Sequence, residues 1–237
     1  MPAQKKVLVL LIGQSNMAGR GEIEPEDCQE IPGLFKLSAD LSWESALEPL
    51  HFDHPRVGTG PGRTFGKLLL QHRPGYQVGL VPSAVGGSPI SAWRPGEQFP
   101  AGVYPYDNAL RRAQAARREG EFAAVLWHQG EADAKKQNRD YQRELRNLIL
   151  RLRGDLALPA LPFLCGGLGD FLAPDYGAEP INDATRAAAA ELPQVGYVSS
   201  QGLKDKGDQL HFSAASAREF GRRYFEAFLA LTSPRNN

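Results

Sequence analysis

Apolar and polar positions along the chain follow two periods. Short runs of continuous apolar residues, each closed by glycine, proline or polar positions, fall at residues 6–13, 77–84, 123–130, 161–169 and 195–200. Continuous apolarity over such lengths predicts strands buried on both faces. Between and after them, apolar residues recur at helical spacing over residues 64–73, 108–119, 139–153, 182–192 and 214–231. Asp107 precedes the second helix and Gly120 follows it, the residue types that start and stop helices. In the last helix Phe220, Tyr224, Phe228 and Leu231 form a stripe that predicts a core-facing side.

This alternation predicts an α/β fold with a mainly parallel sheet. Right-handed crossovers place helices above and below such strands, which makes a three-layer α/β/α sandwich. Ligands then sit at the carboxyl ends of the strands, where the residues following the first three runs converge. Two stretches, 20–63 and 88–106, are rich in glycine and proline and too long for simple connections, so they are expected to wall the site. With 237 residues and no repeat or linker, residues 1–237 are expected to form one domain.

Composition narrows the function classes. Lys plus Arg and Asp plus Glu each total 27, so no global field favours a polyanion such as nucleic acid. Arg111, Arg112, Arg117 and Arg118 lie in a helical pattern and are read as a solvated face. Two cysteines, Cys28 in a polar loop and Cys165 in an apolar run, are too few for a disulfide scaffold. Cys165 reads as a small core residue. The amino-terminal MPAQKKVLVLLIG has the lysines and apolar run of a secretory signal, but the run is short and lacks a small-residue cleavage site. It is therefore read as the first strand, and no other stretch is long enough to span a bilayer. A cytoplasmic protein with no membrane or nucleic-acid partner is expected.

Four segments carry candidate chemistry. Ser15, in GQSNMAGRG, follows the first strand, where a sharp turn exposes a hydroxyl; alone, the segment also fits a helix cap or a phosphate-binding turn, although it lacks the nucleotide-loop spacings. Asp208 lies three residues before His211, so the carboxylate can orient an imidazole base that activates a serine. Gln129, in WHQGE, carries an amide donor for an oxyanion, and Glu131 is an alternative acid for the histidine. His128 points opposite to Gln129 by strand alternation and is expected to pack in the interior. A metal site at His128 and Glu131 matches no common zinc spacing. Gly86 and Gly87 follow the second strand and permit a backbone N–H to approach a ligand.

Taken in order, GQSNMAGRG, VPSAVGGSPISAW, LWHQGEAD and DQLHFS resemble the sequence blocks of SGNH-type hydrolases of the sialate O-acetylesterase-like group, which includes carbohydrate esterase family six. LSADLSWESALEPLH and VGTGPG are similar to the plant-type branch of probable carbohydrate esterases, so the resemblance covers nearly the whole chain. It implies a flavodoxin-like five-stranded sheet of order 2-1-3-4-5, an esterase with no metal or organic cofactor, and a catalytic triad of Ser15, His211 and Asp208. It also implies an oxyanion hole from the Ser15 N–H, a backbone N–H of Gly86 or Gly87, and the Gln129 side chain, at the position where better-known relatives use asparagine.

The expected substrate is an acetyl ester of a small molecule or oligosaccharide, such as acetylated xylan or sialic acid. Gln14, Trp93 and Arg94 are candidate substrate contacts, and Trp43, His51, Tyr104 and Tyr106 are further candidates for a sugar cleft. Two alternatives stand beside this: a broad short-chain esterase or thioesterase, and a catalytically silent carbohydrate-binding domain.

Overall fold

Seven strands build one sheet in the computed structural model, which describes residues 5–233. The first four and last four residues of the expected 1–237 domain lie outside the described residues. The strands are β1 (Lys6–Gly13), β2 (Leu34–Leu37), β3 (Trp43–Ser45), β4 (Gln77–Pro82), β5 (Gly120–His128), β6 (Phe163–Gly166) and β7 (Val195–Val198), in the spatial order β3-β2-β4-β1-β5-β6-β7.

The five apolar runs form the parallel block β4-β1-β5-β6-β7, which is the order 2-1-3-4-5 among themselves. The expectation of a five-stranded parallel sheet needs correction, because β2 adds to β4 in parallel and β3 pairs antiparallel with β2. Both extra strands lie inside the stretch read as irregular. They span only LFKL and WES, too short and too mixed to stand out as apolar runs. Trp43 seals this edge: a Cβ at Gly79 would lie 2.7 Å from its ring, and the Lys6 ammonium sits 5.1 Å from the ring centroid. Trp43 is thus packing, not part of a sugar cleft.

The helices are α1 (Ser15–Ala18), α2 (Gly62–His72), α3 (Pro105–Ala116), α4 (Glu131–Lys135), α5 (Tyr141–Asp155), α6 (Ala178–Glu191) and α7 (Ala214–Thr232). Alternation along β1 sends Val9 and Leu11 to one face of the sheet and Leu8 and Leu10 to the other. On the first face they meet Phe65 and Leu69 of α2 and the Phe220, Tyr224 and Phe228 stripe of α7. On the second they meet Ala109 and Ala113 of α3, Leu148 and Leu152 of α5, and Ala188 of α6. Helix α3 begins earlier than expected, with Pro105 in its first turn; Asp107 accepts the Gly96 N–H at 2.8 Å instead of capping, and Gly120 opens β5.

The solvated-face reading of the arginines fails at Arg112, which is 3% exposed. Its guanidinium donates to the carbonyls of Leu37, Ser38 and Pro82 at 2.7, 2.9 and 2.8 Å, joining α3 to the ends of β2 and β4. A five-donor fork matches this cluster of three carbonyls, which an apolar side chain could not serve. Arg112→Met should lower unfolding free energy by at least about 2 kcal/mol in urea titrations.

Buried carboxylates tie down the 20–63 stretch. Asp27 accepts the Thr59 hydroxyl at 2.9 Å and Arg218 at 2.8 Å, while Glu48 accepts the N–H groups of Leu50 and Gly60 at 2.8 and 3.3 Å. Burial pushes the Glu48 carboxyl up to about 8, the two N–H bonds offsetting only part of that cost. Its folded value exceeds the unfolded one near 4.5, so its stabilisation is complete below that pH and is lost as pH rises through about 8. Glu48→Gln should flatten this decline when stability is measured from pH 5 to 9.

Candidate active site

The turn that carries Ser15 starts from a close approach of two strands. Gly13 has φ +132°, and a Cβ there would lie 2.0 Å from the His128 carbonyl oxygen, so only glycine lets β1 end against β5 in this way. The chain then turns sharply, and Ser15 becomes the first residue of α1. Gln14, which holds the cap position, makes no side-chain cap. Ser15 is therefore not a capping residue, and α1 is a single turn, too short for the aligned dipole a phosphate site needs.

The Ser15 hydroxyl lies 3.1 Å from His211 Nε2, and His211 Nδ1 lies 2.7 Å from Asp208 Oδ2. Asp208 Oδ1 also accepts the backbone N–H groups of Leu210 and His211, at 3.0 and 2.8 Å. Partial burial acts to raise the Asp208 carboxyl, but the bonds from the His211 ring and backbone outweigh it and hold the group below its usual value. A carboxylate accepts only, so Nδ1 carries the proton and Nε2 is left bare toward the serine.

Glu131 makes no hydrogen bond or ion pair with His211. It is buried, its Oε1 accepts Asn16 Nδ2 at 2.5 Å, and it lies 3.6 Å from His128 Nδ1. Asn16 also donates to the Leu210 carbonyl at 3.0 Å and accepts the Phe212 N–H at 3.1 Å. It thereby clamps the backbone on both sides of His211. His128 donates Nε2–H to the Gly167 carbonyl at 3.1 Å, packs edge-on to Phe212 and Phe220, and has its pKa lowered by burial. Among the described residues, no group of three or more His, Cys, Asp or Glu is placed to hold a metal ion.

Two of the expected oxyanion donors are engaged elsewhere. The Gly86 N–H donates to Asp53 Oδ2 at 2.8 Å, a carboxylate also paired with Arg20 at 3.0 Å. Gln129 Nε2 donates to Asp133 at 2.6 Å, the Ser88 carbonyl at 3.0 Å and Gln14 Oε1 at 3.2 Å, so its two hydrogens are shared among three acceptors. The Gly87 N–H has no acceptor among the described residues, nor has the N–H of Ser15 at the helix start.

Ser15, His211, Asp208, Gln14, Gly86, Gly87 and Glu131 border one cavity of about 460 Å³; Gln129 does not. Most of the aromatic candidates lie elsewhere. Trp93 is fully buried, bonded to Ser88 Oγ and stacked edge-on against Trp127 at 5.2 Å. Tyr106 is buried with its hydroxyl on Asp155, Tyr104 accepts from Gln98, and Arg94 bonds the Ser91 carbonyl on the surface. His51 is buried beneath the loop, where desolvation lowers it to about 4. The cavity wall comes instead from Arg20, Asp53, Arg56, Lys135, Tyr176 and Lys206. Apart from Arg20, which falls inside GQSNMAGRG, these residues lie outside the four segments, where no local pattern marks them.

A family model described as "Carbohydrate esterase, sialic acid-specific acetylesterase" matches residues 5–230. The chain belongs to this family of carboxylic ester hydrolases. A probable carbohydrate esterase from Arabidopsis thaliana is 32% identical over 97% of this chain and 92% of its own length. Its solved structure superposes with a TM-score of 0.83, covering 96% of this chain and 98% of that one. At the level of fold, this chain is also similar to NanS (19% identical, TM-score 0.74, covering 97% of this chain and 98% of that one). A carbohydrate acetylesterase from Xanthomonas citri is 21% identical with a TM-score of 0.71, covering 96% of this chain and 56% of that one. No helix among the described residues is long and apolar enough to cross a membrane.

The geometry ranks the two acids. Asp208→Asn should lower kcat/KM about 10³-fold or more by removing the acceptor that sets the His211 tautomer. Glu131→Gln, which keeps an acceptor for Asn16, should cost less than about tenfold. The reverse ranking in steady-state kinetics would make Glu131 the orienting acid.

Proposed function

We propose that the protein is a serine O-acetylesterase of carbohydrates, with Ser15 as nucleophile, His211 as general base and acid, and Asp208 as its orienting carboxylate. The supporting observation is the unbroken chain of contacts from Asp208 through His211 to Ser15 at the edge of an open cavity. Ser15 Oγ attacks the acetyl carbonyl as its proton passes to His211 Nε2. The tetrahedral intermediate collapses, the bond to the sugar oxygen breaks, and His211 returns the proton to that oxygen. Water then attacks the acetyl-enzyme by the same path and acetate leaves.

The cavity rim favours an acidic sugar. Arg56 and Lys135 border it, and neither has a carboxylate within ion-pair distance among the described residues; Lys135 instead lies 5.2 Å from the Tyr176 ring centroid. Two exposed cations contribute about 1 kcal/mol or less each toward a substrate carboxylate. A double Arg56→Ala, Lys135→Ala variant should raise KM for O-acetylated sialic acid about three- to tenfold and leave acetylated xylo-oligosaccharides unaffected. Equal effects on both substrates would remove the acidic-sugar preference.

Acetate release from a panel of acetylated sialic acids, xylo-oligosaccharides and aryl esters tests the activity. Covalent labelling by an organophosphonate, abolished in Ser15→Ala and His211→Ala, separates an esterase from a silent binding domain. Rates on acetyl, butyryl and octanoyl esters separate it from a broad short-chain esterase or thioesterase.

A further inference from the structure

An acyl-transfer site needs donors aimed at the developing oxyanion, and each donor must be free when substrate arrives. The Gln129 amide does not meet that condition, since its two hydrogens are shared among Asp133, Ser88 and Gln14 and the side chain stands behind the cavity wall. Asp133 is itself fixed, accepting the Ile90 N–H at 2.8 Å and Asn138 Nδ2 at 2.8 Å, so Gln129 is locked in this orientation.

The neighbouring amide has the opposite arrangement. Gln14 Oε1 faces three donors: Gln129 Nε2 at 3.2 Å, the Ala132 N–H at 3.4 Å and the Gly130 N–H at 3.5 Å. Three donors around one end of the amide identify that end as the oxygen. Its nitrogen therefore points the other way. That Nε2 has no acceptor among the described residues, is not sealed from solvent, and belongs to a residue that lines the cavity directly beside Ser15.

We propose that Gln14 supplies the side-chain donor of the oxyanion hole, completing a set with the N–H groups of Ser15 and Gly87. Gln129 is then a positioning residue. It holds the Gln14 carbonyl so that the Gln14 amide hydrogens face the acetyl oxygen, and Asp133 holds Gln129 in turn. The segment Gly13-Gln14-Ser15 thus delivers the nucleophile and two oxyanion donors from one turn.

The inference rests on Ser15 being the nucleophile, so Ser15→Ala is measured beside it on the same aryl acetate. Gln14→Ala should lower kcat about 10²–10³-fold with KM changed less than about threefold, as for loss of one oxyanion donor. The acid limb of its kcat/KM profile and its unfolding midpoint should stay at the wild-type positions, which displacement of Ser15 from His211 would move. Gln14→Glu keeps the carbonyl acceptor but replaces the donor with an anion, so it should lose at least as much. If Ser15→Ala is inactive while Gln14→Ala or Gln14→Glu keeps kcat within about threefold of wild type, the assignment is overturned. A loss that appears only in KM, or one accompanied by a shifted pH profile, overturns it as well. If Ser15→Ala retains activity, the fault lies with the nucleophile and not with Gln14.

Discussion

Everything at this site depends on one side chain holding two distant segments together. Ser15 and His211 are 196 residues apart, and Asn16 binds the peptide groups on both sides of the histidine while sitting next to the serine. A serine–imidazole hydrogen bond is sensitive to a displacement of an ångström. Asn16 removes that freedom through contacts at each end of its amide. Glu131 anchors the same amide from below, which gives the buried carboxylate a structural part distinct from that of Asp208.

The sheet supplies the frame for this clamp. Because β1 is paired on both sides, with β4 and β5, its end carries Ser15 between two neighbouring strand ends. The loop after β4 brings Gly87, and the end of β5 brings Gln129, Gly130 and Glu131. Polar groups that leave the sheet are then satisfied locally: Gly86 by Asp53, Gln129 by Asp133, and the β2 and β4 carbonyls by Arg112. Each of these bonds avoids the cost of an unpaired buried polar group. They also determine which donors remain free to meet a substrate.

The wall of the cavity follows a different logic. Two aromatic residues of the second long stretch are drawn into the interior, where Trp93 meets Trp127 and Tyr106 lies under Arg151 at 4.8 Å, whereas Phe52 and Tyr104 stay exposed. Large apolar surfaces gain more from burial than from lining an open cleft. Charged side chains are left at the rim, and they set the electrostatic character of the opening.

Much was legible in the sequence. Continuous apolar runs marked the five parallel strands, because burial on both faces leaves no polar positions, and helical spacing marked the five long helices. Ser15, His211 and Asp208, which the structure brings into contact, stood out as candidates because small residues, a carboxylate and an imidazole at fixed short spacings leave a local trace. What only the tertiary structure decided is which partner each polar group takes. Arg112 belongs to a run of arginines that looks solvated, yet three carbonyls distant in sequence bury it; Gln129 carries the expected amide, yet Asp133 and Ser88 occupy it. The short β2 and β3 have meaning only beside β4. Hydrogen bonds are satisfied across the fold rather than along the chain, so their pairing appears only once the strands are in place.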